Sequence, residues 1–126
     1  MRVLVDTSVW VGHFKQRDEQ LVALLQAGWV ACHPYVVVEV ACGTPARRHE
    51  IIDMLRQLES VPVATADELL ALLQRRALYG RGCGFVDLSL LASALLSDQT
   101  LLWTLDKRLA AVAVELGRAY RPAIAA

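Results

Sequence analysis

Cysteine is scarce in this chain and lysine scarcer. Cys32, Cys42 and Cys83 are an odd number of thiols with no C-x-x-C spacing. Neither a disulfide framework nor a zinc site follows from that pattern, which points to three reduced thiols. His13, His33 and His49 show no metal-ligand spacing such as H-x-x-x-H. No run approaches the ~18 continuous apolar residues of a membrane span, and no signal-peptide pattern is visible. Net charge is absent as well, with 13 acids against 13 lysines and arginines, so a polybasic nucleic-acid binder is excluded although a local basic patch is not. Lys15 and Lys107 are the only lysines and the other eleven cations are arginine. Arginine suits bidentate contact with phosphate or carboxylate, but GC-rich codon usage explains the same bias. What the chain does have is apolar residues, 56% of the total. That content excludes intrinsic disorder and leaves surface for a partner interface. At 126 residues the expectation is one soluble, cytoplasmic domain over residues 1–126, with a core that needs no covalent staple.

The order of elements follows from periodicity and caps. Val3–Val5 reads as a buried strand that stops at Asp6. A helix follows from Thr7 or Ser8 to about Phe14, with Trp10 and Phe14 one turn apart. Asp18 caps a second helix that ends near Gly28, and Trp29–Cys32 is a second strand. Tyr35–Cys42 stays open: its valines favour a strand, while Pro34 before it and Gly43 after it are helix start and stop signals. Ala46–Leu58 is helical, Val61–Val63 is briefly extended, and an amphipathic helix runs from Asp67 through Leu69, Leu70, Leu73 and Leu78. Three glycines in Gly80–Gly84 force a loop. Val86–Leu96 is a buried helix, Leu101–Trp103 a third strand, and Asp106 to about Leu116 a last helix, with a loosely packed tail from about 117. Strands alternating with helices predict a single α/β/α sandwich around a parallel sheet.

Four acids interrupt apolar runs, where charge is rarely found without a reason. Asp6 ends the first strand, and Asp106 lies just past Leu101–Trp103; carboxyl ends of parallel strands form the ligand crevice of such folds. Glu39 is the only charge between Pro34 and Cys42, and Asp87 heads the buried helix. Each has a bland reading taken singly. Asp6 and Asp106 suit N-caps, Asp87 complements a helix dipole, and Glu39, as a buried carboxylate without a nearby cation in sequence, is the hardest to dismiss. Taken together, carboxylates sharing a crevice repel unless a cation neutralises them. Hard oxygen ligands suit Mg²⁺ or Mn²⁺, and such an ion supports phosphodiester hydrolysis. Glu50, Asp53, Asp67 and Glu68 fall on solvated helix faces and receive no role.

Four segments, VLVDTSVW (Val3–Trp10), VVVEVACG (Val36–Gly43), GFVDLSLLASAL (Gly84–Leu95) and LLWTLDKRL (Leu101–Leu109), make the chain resemble a PIN-domain ribonuclease. It is more closely similar to a VapC-type toxin of a bacterial toxin–antitoxin pair. The resemblance implies the PIN-like fold, with the Glu39 segment on a helix. It implies an acidic quartet of Asp6, Glu39, Asp87 and Asp106. Asp6 and Asp87 would be the principal Mg²⁺ ligands, while Glu39 and Asp106 would complete the pocket and orient the attacking water. Thr104, with Thr7 or Ser8, would support the carboxylates. A cognate VapB-type antitoxin, an RNA substrate and a homodimer are implied as partners. Asp106 occupies the most variable of the four positions, with Asp98 as a competitor.

Other readings stay beside this one. A catalytically silent PIN-like module would keep the partners and lose turnover, and a PIN nuclease of RNA maturation or DNA processing would keep the chemistry and change the substrate. Arg47, Arg48, Arg75, Arg76 and Arg81 are candidates for phosphate contact, with solvated helix faces as the alternative. Trp10 is a candidate base-stacking residue, although an aromatic one turn from Phe14 is more often core.

Overall fold

The computed structural model describes residues 1–122. Four strands and seven helices follow one another among these residues. They are β1 (Arg2–Val5), α1 (Thr7–Lys15), α2 (Glu19–Ala27), β2 (Val30–Cys32), α3 (Pro34–Cys42), α4 (Arg48–Gln57), β3 (Glu59–Ser60), α5 (Ala66–Arg76), α6 (Phe85–Leu96), β4 (Thr100–Trp103) and α7 (Lys107–Glu115). The strands form one sheet in the order β3-β2-β1-β4, and every pairing is parallel. Right-handed connections then place α1 to α4, which carry the chain outward from β1 to β3, on one face. The connection through α5 and α6, which returns across the sheet to β4, covers the other face. The expected α/β/α sandwich is the observed one.

Burial explains the strand sequences. Val3, Leu4 and Val5 are all fully buried in β1, the central strand covered on both sides. In α6, every residue from Leu88 to Ala94 is buried, including Ser89 and Ser93. The two serines are satisfied by the carbonyls of Phe85 at 2.8 Å and Pro62 at 2.6 Å, so the helix can enter the core without orphaned hydroxyls. Trp10 and Phe14 stack with ring centroids 6.0 Å apart, and Trp10 is fully buried. Trp10 is therefore core, and the base-stacking candidate is removed.

Capping resolves the ambiguous segment. Pro34 occupies the first turn of α3, the His33 Nδ1 accepts from the Tyr35 amide at 2.9 Å, and the Gly43 amide closes on the Val40 carbonyl at 3.1 Å. Local caps and tertiary packing override the β propensity of four valines. Asp18 caps α2 through the Leu21 amide at 3.1 Å, and Gly28 ends it at φ +75°, as the sequence predicts.

Three details differ from the sequence reading. The third strand in chain order is Glu59–Ser60, not an extended Val61–Val63. Helix α5 stops at Arg76, so Leu78 packs from beyond it and Leu70 points outward at 63% exposure. Past Gly117 the chain is tethered: Leu102 and Tyr120 exchange backbone bonds with one another's neighbourhood, Leu102 N to Arg118 O at 2.7 Å and Tyr120 N to Leu102 O at 2.9 Å. Ala119 thus bridges β4 in parallel, and Tyr120 lies against Trp103. The rest of the expected loose tail, residues 123–126, lies outside the described residues.

Candidate functional site

The parallel sheet sends β1 and β4 to the same edge, where the Asp6 amide still bonds the Trp103 carbonyl at 2.9 Å. One residue further on, both chains leave the sheet, and their side chains meet. Asp6 is 6% exposed, and both of its oxygens accept hydrogen bonds. Its Oδ1 accepts from the Thr7 amide at 2.8 Å. Its Oδ2 accepts from the Ser8 hydroxyl at 2.8 Å and from the Thr104 hydroxyl at 2.7 Å. Ser8 Oγ also accepts from the Leu105 amide at 3.1 Å, and Thr104 Oγ1 from the Asp106 amide at 3.0 Å. A buried carboxylate held by three donors keeps one orientation. Sequence alone does not separate Thr7 from Ser8; in the structure Ser8 holds Asp6, whereas the Thr7 hydroxyl reaches Glu39 Oε1 at 2.6 Å.

Glu39 corrects an expectation. Its place in an apolar run suggested burial, but the side of α3 that carries Val38 and Glu39 faces outward, and Glu39 is exposed. Its charge is therefore solvated, and its tie to the site is the single bond from Thr7. Asp87 is half-buried in the first turn of α6, and its Oδ2 accepts from the Gly84 amide at 3.0 Å. Asp106 is exposed and caps α7, its Oδ1 accepting from the amides of Arg108 at 2.9 Å and Leu109 at 3.1 Å. Asp6 and Asp106 are thus N-caps, as the bland reading had it, and they also stand beside one another through Thr104. Asp98 precedes β4, at the opposite end of that strand, and does not compete for Asp106's place. The Gly84 amide escaped the sequence reading; a glycine three residues before an acid at a helix start was the available signal.

Desolvation is the main reason that the Asp87 carboxyl lies above its ordinary range; the Gly84 amide opposes it, and the charges of Asp6 and Asp106 add to it. Cys83, adjacent in the loop, is likewise pushed up, first by burial and then by Asp87 and Asp106. Three carboxylates therefore share one field at the carboxyl edge of the sheet. Among the described residues, none of the four acids has an ion-pair partner. No three Asp, Glu, His or Cys side chains among those residues form a ready-made metal cage. That donor set does not fit a closed structural zinc site. It fits a hard divalent cation that keeps several waters and takes only one or two carboxylates from the protein.

The arginine candidates sort differently. Arg81 makes two bonds to Glu115, at 3.0 and 2.7 Å. Arg48 donates twice to the Ala41 carbonyl, at 3.0 and 2.7 Å, and Arg47 lies 3.7 Å from Glu50. Arg75 and Arg76 end α5, where their charge suits the helix terminus.

Fold and edge-of-sheet acids together define a class, and comparison with known proteins agrees with it. The PIN domain family model matches residues 3–115. The chain is 47% identical over 115 residues, 91% of its own length and 93% of the relative's, to Ribonuclease VapC32 of Mycobacterium tuberculosis. The relative is found under that name in strains CDC 1551 / Oshkosh and ATCC 25618 / H37Rv. The chain belongs to the PIN-domain family and to its VapC-type members.

Proposed function

We propose that this protein is a metal-dependent endoribonuclease, the toxin half of a toxin–antitoxin pair. The observation that carries the reading is the Asp6–Ser8–Thr104–Asp106 network at the carboxyl edge of the sheet, with the Asp87 carboxyl raised first by burial and then by the charges of Asp6 and Asp106. A similar relative named as a ribonuclease supports it. Asp6 and Asp87 would hold Mg²⁺, or Mn²⁺ in its place, with Glu39 and Asp106 completing the pocket directly or through water. When bound, such an ion supplies Lewis-acid polarisation of a phosphate oxygen and acidifies water.

The chain's own groups do the rest. Ser8, Thr104 and the Thr7 amide fix the plane of the Asp6 carboxylate, so that it is organised before substrate arrives. Thr7 engages only one oxygen of Glu39, leaving the other to accept a hydrogen bond from an attacking water and set its direction. Partial burial of Asp87 keeps bulk water from screening its charge. An apolar groove of about 380 Å³ opens beside Glu39, lined by Val11, Phe14, Val40 and Pro45. In this reading a VapB-type antitoxin lies along it towards the acids, and the toxin works as a homodimer.

The test is cleavage of total bacterial RNA by purified, antitoxin-free protein in Mg²⁺, in Mn²⁺ and in EDTA. Asp6→Asn and Asp87→Asn proteins run alongside. The expected result is discrete, metal-dependent fragments that fall by roughly 10³-fold or more in both variants. Equal cleavage by wild type and both variants overturns the assignment of the site. Absence of fragments from folded wild type in every buffer leaves a silent binding module as the function.

A further inference from the structure

Phe85 has no role in the chemistry above, and packing does not explain it. It is 59% exposed at the start of α6, a helix whose residues from Leu88 to Ala94 are all buried. Its ring meets Tyr35, with centroids 5.4 Å apart and planes 32° from parallel. Tyr35 in turn rests on His33 at 4.7 Å. The three rings step outward from a fully buried imidazole, through a half-buried phenol, to an exposed phenyl. The inner ring is anchored because its Nδ1 accepts from the Tyr35 amide. An aromatic face supported from beneath in this way is presented with little freedom left to lose.

Its position is specific. Phe85 follows Gly84, whose amide clamps Asp87, and precedes Asp87 by two residues. Tyr35 lies one turn before Glu39 on α3, on the same side of that helix. The ring pair therefore joins the two helices that bring Glu39 and Asp87 to the site. The pocket itself is acidic, and Arg47, Arg48 and Arg81 are occupied by Glu50, the Ala41 carbonyl and Glu115. Lys15 beside Glu39 and Arg108 beside Gly82 can meet phosphates, whereas a base calls for a contact of another kind. Aromatic faces meet that need for single-stranded RNA, because every base has a π-face.

We infer that Phe85, backed by Tyr35, is a stacking platform for an unpaired RNA base next to the phosphate held at the acidic edge. The inference rests on the ribonuclease reading for the identity of the polymer. It sets that base, withdrawn from its neighbours in the strand, against the Phe85 ring. It also makes Phe85 a positioning residue, holding the strand while Asp6, Asp87 and Glu39 address the phosphate.

The experiment uses short single-stranded RNAs carrying 2-aminopurine at one position at a time, titrated with the full chain in Ca²⁺ buffer. Wild type is compared with Phe85→Ala, Phe85→Leu and Phe85→Trp, each shown to be folded by circular dichroism. Wild type and Phe85→Trp should quench the fluorophore at one preferred position. Phe85→Ala and Phe85→Leu should bind roughly 5- to 100-fold more weakly and lose the quenching, with the salt dependence of binding unchanged because phosphate contacts remain. Unaltered binding and quenching in Phe85→Ala overturn the platform, and mark the exposed ring as a surface for a protein partner instead. Recovery of binding by Phe85→Leu also overturns it, because the contact is then only apolar. Absence of quenching by wild type at every position does the same. Cleavage in Mg²⁺ is scored separately. Wild type that cuts RNA while Phe85→Ala quenches normally leaves the nuclease and removes the platform; wild type that quenches through Phe85 and cuts nothing leaves the platform and removes the nuclease.

Discussion

His33 shows how one side chain can serve an element only in one protonation state. Burial pushes its imidazole down from 6.5 to about 4. Its Nδ1 accepts the Tyr35 amide, so the ring proton sits on Nε2, which is buried without a partner. A second proton would go to Nδ1 and turn the cap of α3 into two donors facing one another. The sign of the linkage follows. Between pH 6.5 and 4 the unfolded chain takes up a proton that the folded chain refuses, so folding stability falls as pH is lowered through that window. The loss approaches about 3 kcal/mol at its lower end. His33→Asn keeps an N-cap oxygen and removes the titration. Urea denaturation at several pH values should show a lower stability for the variant at neutral pH and a flatter profile between pH 6.5 and 4. A wild-type profile already flat in that range contradicts the assignment. The four acids stand out in sequence because charge is rare within apolar runs, but only Asp6 and Asp87 prove to be withdrawn from water; Glu39 and Asp106 are exposed. The division between Ser8 and Thr7 is not legible there, because adjacent hydroxyls are equivalent until a backbone direction separates them.

At the scale of elements, the loop between α5 and α6 is held more firmly than its glycines suggest. Arg81 bonds Glu115 on α7 through two contacts, and the Arg108 side chain lies across Gly82. A Cβ at Gly82, where φ is +85°, would stand 2.5 Å from Arg108 Cδ, whereas a Cβ at Gly80, at φ +72°, meets nothing within 4 Å. Both positions carry the backbone strain of a left-handed alanine, roughly 1–2 kcal/mol, and only Gly82 adds a collision. Because the atoms met are the far end of an exposed arginine, Gly82→Ala should lower the thermal midpoint only slightly more than Gly80→Ala. It should also depress RNA cleavage, since the displaced loop carries the Gly84 amide that orients Asp87. Equal effects of the two substitutions on stability and cleavage would show that Arg108 yields freely. Sequence signals read these elements unevenly. The strands β1, β2 and β4 are apolar runs with clear ends. β3 is two exposed polar residues, Glu59 and Ser60, recruited by backbone pairing with Ala31 and Cys32, and backbone pairing leaves no mark on side-chain pattern. Helix α3 carried its answer in Pro34 and Gly43, whereas the capping role of His33 needed the fold to be seen.

For the molecule as a whole, the acidic edge gathers Asp6, Asp87 and Asp106 in one field, and under the proposed function a cation would offset their repulsion. Metal that binds only the folded protein should stabilise it by about 2.7 kcal/mol at a free concentration 100 times Kd. Thermal melts with Mg²⁺ and Mn²⁺ should move upward with concentration, and the Asp6→Asn protein should lose most of that shift. An identical shift in wild type and Asp6→Asn places the ion elsewhere. The parallel topology has a last consequence. A sheet ending in an open strand offers a row of free amides and carbonyls, an invitation for another chain to zip onto it. Here one margin is only the two residues of β3, and the other, β4, is already occupied by the Arg118–Tyr120 stretch. With one margin this short and the other paired, strand exchange has little to grip among the described residues. Assembly is thereby favoured through side chains on the helices, whose chemistry can be tuned for one partner and against another, over backbone that would accept any.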